Sequence, residues 1–277
     1  MKVELLSVST PQGVELDGAH YRYEEERSDR AFCLLHGKTM NFYVGMPRFL
    51  PPVLVEEGYD CLSLNRSGHG IGSIRDSFKP LGDAWTTFRQ HLEDVETAVR
   101  YLKELGYQEI LLAGHSLGGY LAGTYAVGDR DVKGLVLASP IGSFHLSTMP
   151  LFAPEDERVR LFEEARRLVG EGRGERMLAI SEWPYLVSAE TLMTNLMQQE
   201  EAPLLAESVR KVEAPTLLVF GTKGVEAQLG AEAHALLEAS AAREKRLIML
   251  RGSDHFYNGF VEEFCSAVLE WLRHVDL

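Results

Sequence analysis

Glu109-Ile110-Leu111-Leu112-Ala113-Gly114-His115-Ser116-Leu117-Gly118-Gly119 is the stretch that decides the fold. Residues 109–113 form a short apolar run and read as a buried strand. Residues 117–127 read as a helix. Between them, Gly114-His115-Ser116-Leu117-Gly118 has the G-x-S-x-G pattern of a sharp strand-to-helix turn. Such a turn strains the backbone at its serine, so the flanking positions must be small. The serine hydroxyl is left at the head of a helix. There the helix dipole and backbone N–H groups favour a developing negative charge. Ser116 is therefore a candidate nucleophile.

Outward from this turn the same rhythm repeats. Near-continuous apolar runs at 31–35, 59–64, 109–113, 132–138, 216–220 and 246–250 read as strands buried on both faces. Helical stretches alternate with them at 47–57, 83–105, 117–127, 227–239 and 256–274. The clearest is 83–105, where Trp85, Phe88, Leu92, Val95, Val99 and Leu102 recur at steps of three and four. The alternation predicts an α/β fold with a mostly parallel, doubly wound sheet. Ahead of it, 3–8 and 14–23 alternate about a turn signal at Pro11 to Gly13, which predicts a hairpin.

Residues 141–212 interrupt the rhythm. About 70 residues between two strands is far more than an ordinary crossover needs. Helical pieces are expected at 155–168, 175–180, 189–199 and 202–211. The stretch reads as an inserted helical cap on a core made of 1–140 and 213–277.

Composition narrows the function. The chain has 277 residues, 28 Lys plus Arg, 41 Asp plus Glu, and a net charge of −13. An acidic surface of this kind opposes nucleic-acid binding, which needs clustered cations. The stretch 110–127 holds His115, Ser116 and several glycines, so it is no membrane span. The first residues carry Lys2 and Glu4 and show no secretory pattern. The three cysteines, Cys33, Cys61 and Cys265, read as buried reduced thiols. Cytoplasmic location is the expectation. No histidine pair has metal-ligand spacing backed by a third ligand, so no metal is expected.

A nucleophilic serine needs a base and an oxyanion hole. His255 follows the last strand through Arg251-Gly252-Ser253-Asp254, which places it at the same sheet edge as Ser116. It is the candidate base. His36-Gly37-Lys38 ends an early strand. Its Lys38 N–H is a candidate oxyanion donor, with the Leu117 N–H as the second. His36 itself is expected to hydrogen-bond within its loop.

With these residues in place, the chain from residue 30 onward resembles the α/β-hydrolase superfamily of serine esterases and lipases. His36-Gly37, the loop Asn65-Arg66-Ser67-Gly68-His69-Gly70, the Gly114 to Gly119 turn, the strand from Ala214 and His255 carry the likeness. The resemblance implies a Ser-His-acid triad acting on a small-molecule ester, with no cofactor. It also implies an Asp at the fourth position of a Gly-x-x-Asp after the strand 216–220. Here that segment is Gly221-Thr222-Lys223-Gly224. Glu226 lies two residues on and is the leading candidate for the acid. Asp254, a carboxylate in the cap, or no acid at all are the alternatives.

Apolar side chains crowd the cap, and some are expected to line a pocket. His36, His115, His145, Trp183 and Met193 are candidate pocket residues. The expected chemistry is hydrolysis of a carboxylic ester. The same residues on an amide, thioester, lactone or C–C bond form one alternative, and a non-catalytic binding protein the other.

Overall fold

The computed structural model describes every residue except 24–27, 73–80, 145–153, 181–184, 198–200 and 276–277. The chain opens with β1 (Lys2–Ser9) and β2 (Glu15–Arg22), paired antiparallel as the alternation requires. Then come β3 (Arg30–Leu35), α1 (Met46–Glu56), β4 (Asp60–Leu64), α2 (Phe88–Glu104), β5 (Glu109–His115), α3 (Leu117–Tyr125) and β6 (Val132–Ala138). The long insert follows, with α4 (Glu155–Gly170), β7 (Met177–Ile180), β8 (Tyr185–Ser188), α5 (Ala189–Met197) and α6 (Leu205–Val209). The chain closes with β9 (Thr216–Gly221), α7 (Glu226–Ala239), β10 (Lys245–Leu250) and α8 (Val261–Leu272).

Eight strands form one sheet in the order β1-β2-β4-β3-β5-β6-β9-β10. All neighbours from β4 to β10 run parallel. Successive side chains point to opposite faces, so each central strand feeds two cores. Ala31, Cys33 and Leu35 of β3 pack with Val95, Val99 and Leu102 of α2 and Leu121 of α3. Phe32 and Leu34 pack on the other face with Leu50 and Leu54 of α1 and Phe264 and Val268 of α8. Continuous apolar runs are what this double burial demands. From β3 the chain first adds β4 on one side, then crosses to β5 on the other. The crevice beyond the carboxyl ends of β3 and β5 is therefore a topological switch point, where ligands bind in open α/β sheets. Leu35 and Gly114 are register partners at its floor.

Three expectations are corrected. The stretch 175–180 is not helical: β7 pairs with β8 in a two-stranded antiparallel sheet. The apolar run here, Met177–Ile180, is only four residues and has too few repeats to separate the two periods. The helix expected at 83–105 begins only at Phe88, because Thr87 and Gln90 form a capping box ahead of it. The last helix begins at Val261 rather than 256. Asp254 holds a tight turn there, its Oδ1 accepting from the N–H groups of Phe256 and Asn258 at 3.0 Å.

The insert has its own apolar cluster, in which Leu161, Leu168, Tyr185, Val187 and Leu192 meet. Ala202, Leu205, Val209 and Val212 instead join the α2–α3 side of the main core. Among the described residues no helix is long and apolar enough to cross a membrane.

Candidate active site

Ser116 sits at φ 55°, ψ −118° as the N-cap of α3. That is a strained backbone for a residue with a side chain. The surrounding backbone enforces it. The Ser116 N–H donates to Ala138 O of β6 at 2.9 Å. A Cβ at Gly118 would lie 2.2 Å from the Leu35 carbonyl oxygen, and one at Gly114 would lie 2.2 Å from the Gly118 carbonyl oxygen. Neither obstacle is a flexible side chain. Gly118→Ala should therefore lose more than about 4 kcal/mol of stability or fail to fold. Gly170→Ala, whose Cβ meets open space, should unfold in urea like the wild type.

The loop after β3 lies against this turn. A Cβ at Gly37 would lie 3.4 Å from the Ser116 Cβ and 3.2 Å from the His115 Nδ1. Arg66 fixes the loop from below. Its guanidinium is fully buried and donates to His36 O at 2.6 Å and Gly37 O at 3.2 Å. Burial lowers its pKa to about 10, so it is still a cation near neutral pH. The two ends of a trans peptide point in opposite directions. With the Gly37 carbonyl aimed at Arg66, the Lys38 N–H faces the other way. Among the described residues no acceptor takes the Lys38 or the Leu117 N–H. His36 is buried in this arrangement: its Nε2 accepts from the Arg66 N–H at 3.1 Å and its Nδ1–H donates to Gly37 O at 2.8 Å. Burial and the nearby guanidinium hold its pKa well below the usual range, so the ring is neutral.

His255 lies in the loop after β10. Its Nδ1 is 2.6 Å from Oε1 of Glu226, a carboxylate with no exposure to solvent. Glu226 is the first residue of α7. Its Oε2 accepts from the Gly221 N–H at 2.8 Å and from the Ser139 hydroxyl at 2.7 Å. The Tyr257 hydroxyl lies 2.6 Å from Ser139 Oγ and 3.0 Å from Val219 O. The Ser139 proton goes to Glu226, so the Tyr257 proton serves the other contacts. Oε2 thus takes two donors, and Oε1 is left to face the imidazole.

His115 joins the two halves of the site. Its Nε2–H donates to the His255 carbonyl at 2.7 Å, and the two rings lie 4.8 Å apart. Burial, then the neighbouring His255, pushes its pKa down to about 3. It is a neutral bracket whose proton is committed to that carbonyl. Asp254 is engaged by its own turn, with Asn258 Nδ2 donating to its second oxygen at 2.9 Å.

Met193 packs on the insert's apolar cluster. His145 and Trp183 lie outside the described residues. Phe144, read from sequence as part of the cap, packs its ring against Phe88 and Tyr120. Ser139 and Tyr257 were not foreseen as supports for Glu226. The only sequence signal was Ser139 itself, a hydroxyl directly after β6. The side chain of Lys38 reaches toward the turn before α2. Its Nζ lies 2.9 Å from Asp83 Oδ2.

A strained serine at a strand-to-helix turn, two N–H groups without acceptors, and a carboxylate–imidazole pair stand together at one edge of a parallel sheet. The sequence pattern of the alpha/beta hydrolase family matches residues 34–267, and the chain belongs to that family. Solved structures share the architecture. Est1E from Butyrivibrio proteoclasticus is 19% identical with a TM-score of 0.69, covering 97% of each chain. The alpha/beta hydrolase GrgF from Penicillium sp. sh18 is 18% identical with a TM-score of 0.76, covering 99% of this chain and 98% of its own. The Pyrococcus furiosus esterase Pf2001 is 16% identical with a TM-score of 0.64, covering 98% and 90%.

Proposed function

We propose that this chain is a serine hydrolase that cleaves a carboxylic ester through an acyl-enzyme. One observation carries the reading: the imidazole of His255 rests on the buried carboxylate of Glu226 at 2.6 Å, in a fold whose strained turn presents Ser116. Ser116 Oγ attacks the ester carbonyl while His255 Nε2 takes its proton. The Lys38 and Leu117 N–H groups hold the oxyanion. Collapse of the tetrahedral intermediate breaks the C–O bond, and His255 returns the proton to the leaving alcohol. Water, activated by the same imidazole, then hydrolyses the acyl-serine. Glu226 fixes the Nδ1–H tautomer and stabilises the imidazolium.

An ester is favoured over other acyl bonds because a structural neighbour is itself named an esterase. Residues 141–212 act as a cap over Ser116, since they leave the sheet at the carboxyl edge that carries the turn. His36 and His115 then form walls behind the reacting groups, while Met193 belongs to the cap. The buried free thiols of Cys33, Cys61 and Cys265 suit a cytoplasmic enzyme.

The test is a fluorophosphonate probe followed by p-nitrophenyl esters of graded acyl length, with lactones and amides alongside. Labelling confined to Ser116, with turnover highest on an ester, is the expected result. Labelling with turnover only on an amide, thioester or lactone would move the activity to that bond. An unlabelled, folded protein would mean a binding module without an activated serine.

A further inference from the structure

The oxyanion loop and the insert meet at Lys38. Its Nζ lies 2.9 Å from Asp83 Oδ2 and 4.0 Å from the centre of the Tyr185 ring. Asp83 is completely buried. It sits in the turn before α2, and Tyr185 is the first residue of β8 in the insert. The Tyr185 phenol stands beside the same carboxylate, and burial there holds its pKa well above the usual phenol range. His91 closes the cluster. Its Nδ1 accepts from Arg66 at 3.0 Å, so its Nε2–H faces Asp83 Oδ1 at 3.6 Å. One residue beyond Asp83, the Ala84 carbonyl accepts the Ser188 N–H from the other end of β8 at 2.9 Å.

We propose that the Lys38 side chain is a positioning residue that latches the insert to the oxyanion loop, so that Tyr185 and Asp83 set where the Lys38 N–H stands. It rests on the ester-hydrolase reading above. The physics is that of a buried carboxylate. A charge without solvent must keep its partners or pay several kcal/mol of desolvation. Three groups stand around Asp83: an ammonium from the loop at 2.9 Å, a phenol from the insert and an imidazole from α2 at 3.6 Å. Lifting β8 removes the phenol from Asp83 and the aromatic face from Lys38 together. Seating β8 therefore favours one place for Lys38 Cα, and its N–H moves with it. Donor placement within a fraction of an ångström matters for oxyanion stabilisation. Arg66 secures the carbonyls of this loop from the body side, while Lys38 secures it from the insert side.

The experiment measures the second-order rate of fluorophosphonate labelling of Ser116, which uses the oxyanion hole without requiring the natural substrate. Lys38→Met keeps the chain length and removes the charge. It should label about ten- to a hundredfold more slowly, with kcat on p-nitrophenyl acetate falling and KM unchanged. Tyr185→Phe should move the same way by less, and Lys38→Arg should recover part of the loss. Glu201→Ala breaks a different contact between the insert and the body, the ion pair with Arg89, and should label like the wild type. Wild-type labelling of Lys38→Met overturns the proposal. If Lys38→Met fails to fold, Tyr185→Phe decides, and a wild-type rate there overturns it equally. Equal slowing by Glu201→Ala would make the effect general loosening of the insert and overturn it too. These results differ from failure of the ester-hydrolase reading, in which the wild type itself does not label and the latch falls with it.

Discussion

Ser116→Ala should lower kcat by a factor on the order of 10⁶ while leaving the fold in place. The loss is this large because the hydroxyl is the atom that bonds to the acyl carbon, and no other side chain substitutes for it. The fold should persist because the Ser116 side chain makes no capping hydrogen bond to α3. Its strained φ of 55° is held by backbone contacts that alanine keeps. A surface-like change within about 0.5 kcal/mol moves the melting temperature by only about 1–2 °C in a chain of this size. Activity measured on the best ester, beside a melting curve, checks both halves. A variant retaining more than about a tenth of wild-type turnover would remove Ser116 from the mechanism.

Glu226→Gln should cost roughly 10⁴ in kcat. The hydrogen bonds around the carboxylate explain why so small a change matters. The Gly221 N–H donates to Oε2 and cannot be turned away. An amide placed there must therefore keep its oxygen on Gly221 and present its NH₂ to His255 Nδ1. The imidazole then accepts at Nδ1 and carries its proton on Nε2, the nitrogen that has to receive the Ser116 proton. The variant should melt near the wild type while turnover collapses. Nitrogen chemical shifts of His255 would reveal the exchanged tautomer. Turnover within tenfold of wild type would assign the acid elsewhere.

Local steric demands were the most readable part of the chain. The apolar runs could be placed because strands buried on both faces admit almost no polar residues. The Gly114 to Gly119 turn could be placed because backbone there approaches backbone within a few residues of sequence. Glu226 was legible as the candidate acid because it lies two residues past the position that the resemblance implies. What lay beyond reach was long-range. Nothing near residue 139 announces that its hydroxyl will meet a tyrosine at 257. Nothing near Lys38 names Asp83 or Tyr185. The β7–β8 hairpin escaped for a different reason: its strands are four residues each, too short for periodicity to show.

The site of Glu226 on the first turn of α7 has a consequence for how this chemistry is inherited. In the proposed mechanism the link 222–225 between strand and helix supplies no reacting group, while the Thr222 hydroxyl ties it to the Gly252 N–H at 2.8 Å. Gly224 stands where the resemblance to α/β-hydrolases implies an aspartate. Its φ of +67° is one that Asp tolerates better than most residues, and a Cβ there meets open space. Both positions can thus hold a carboxylate at once. A change of acid from one position to the other therefore needs no intermediate without a carboxylate in this loop.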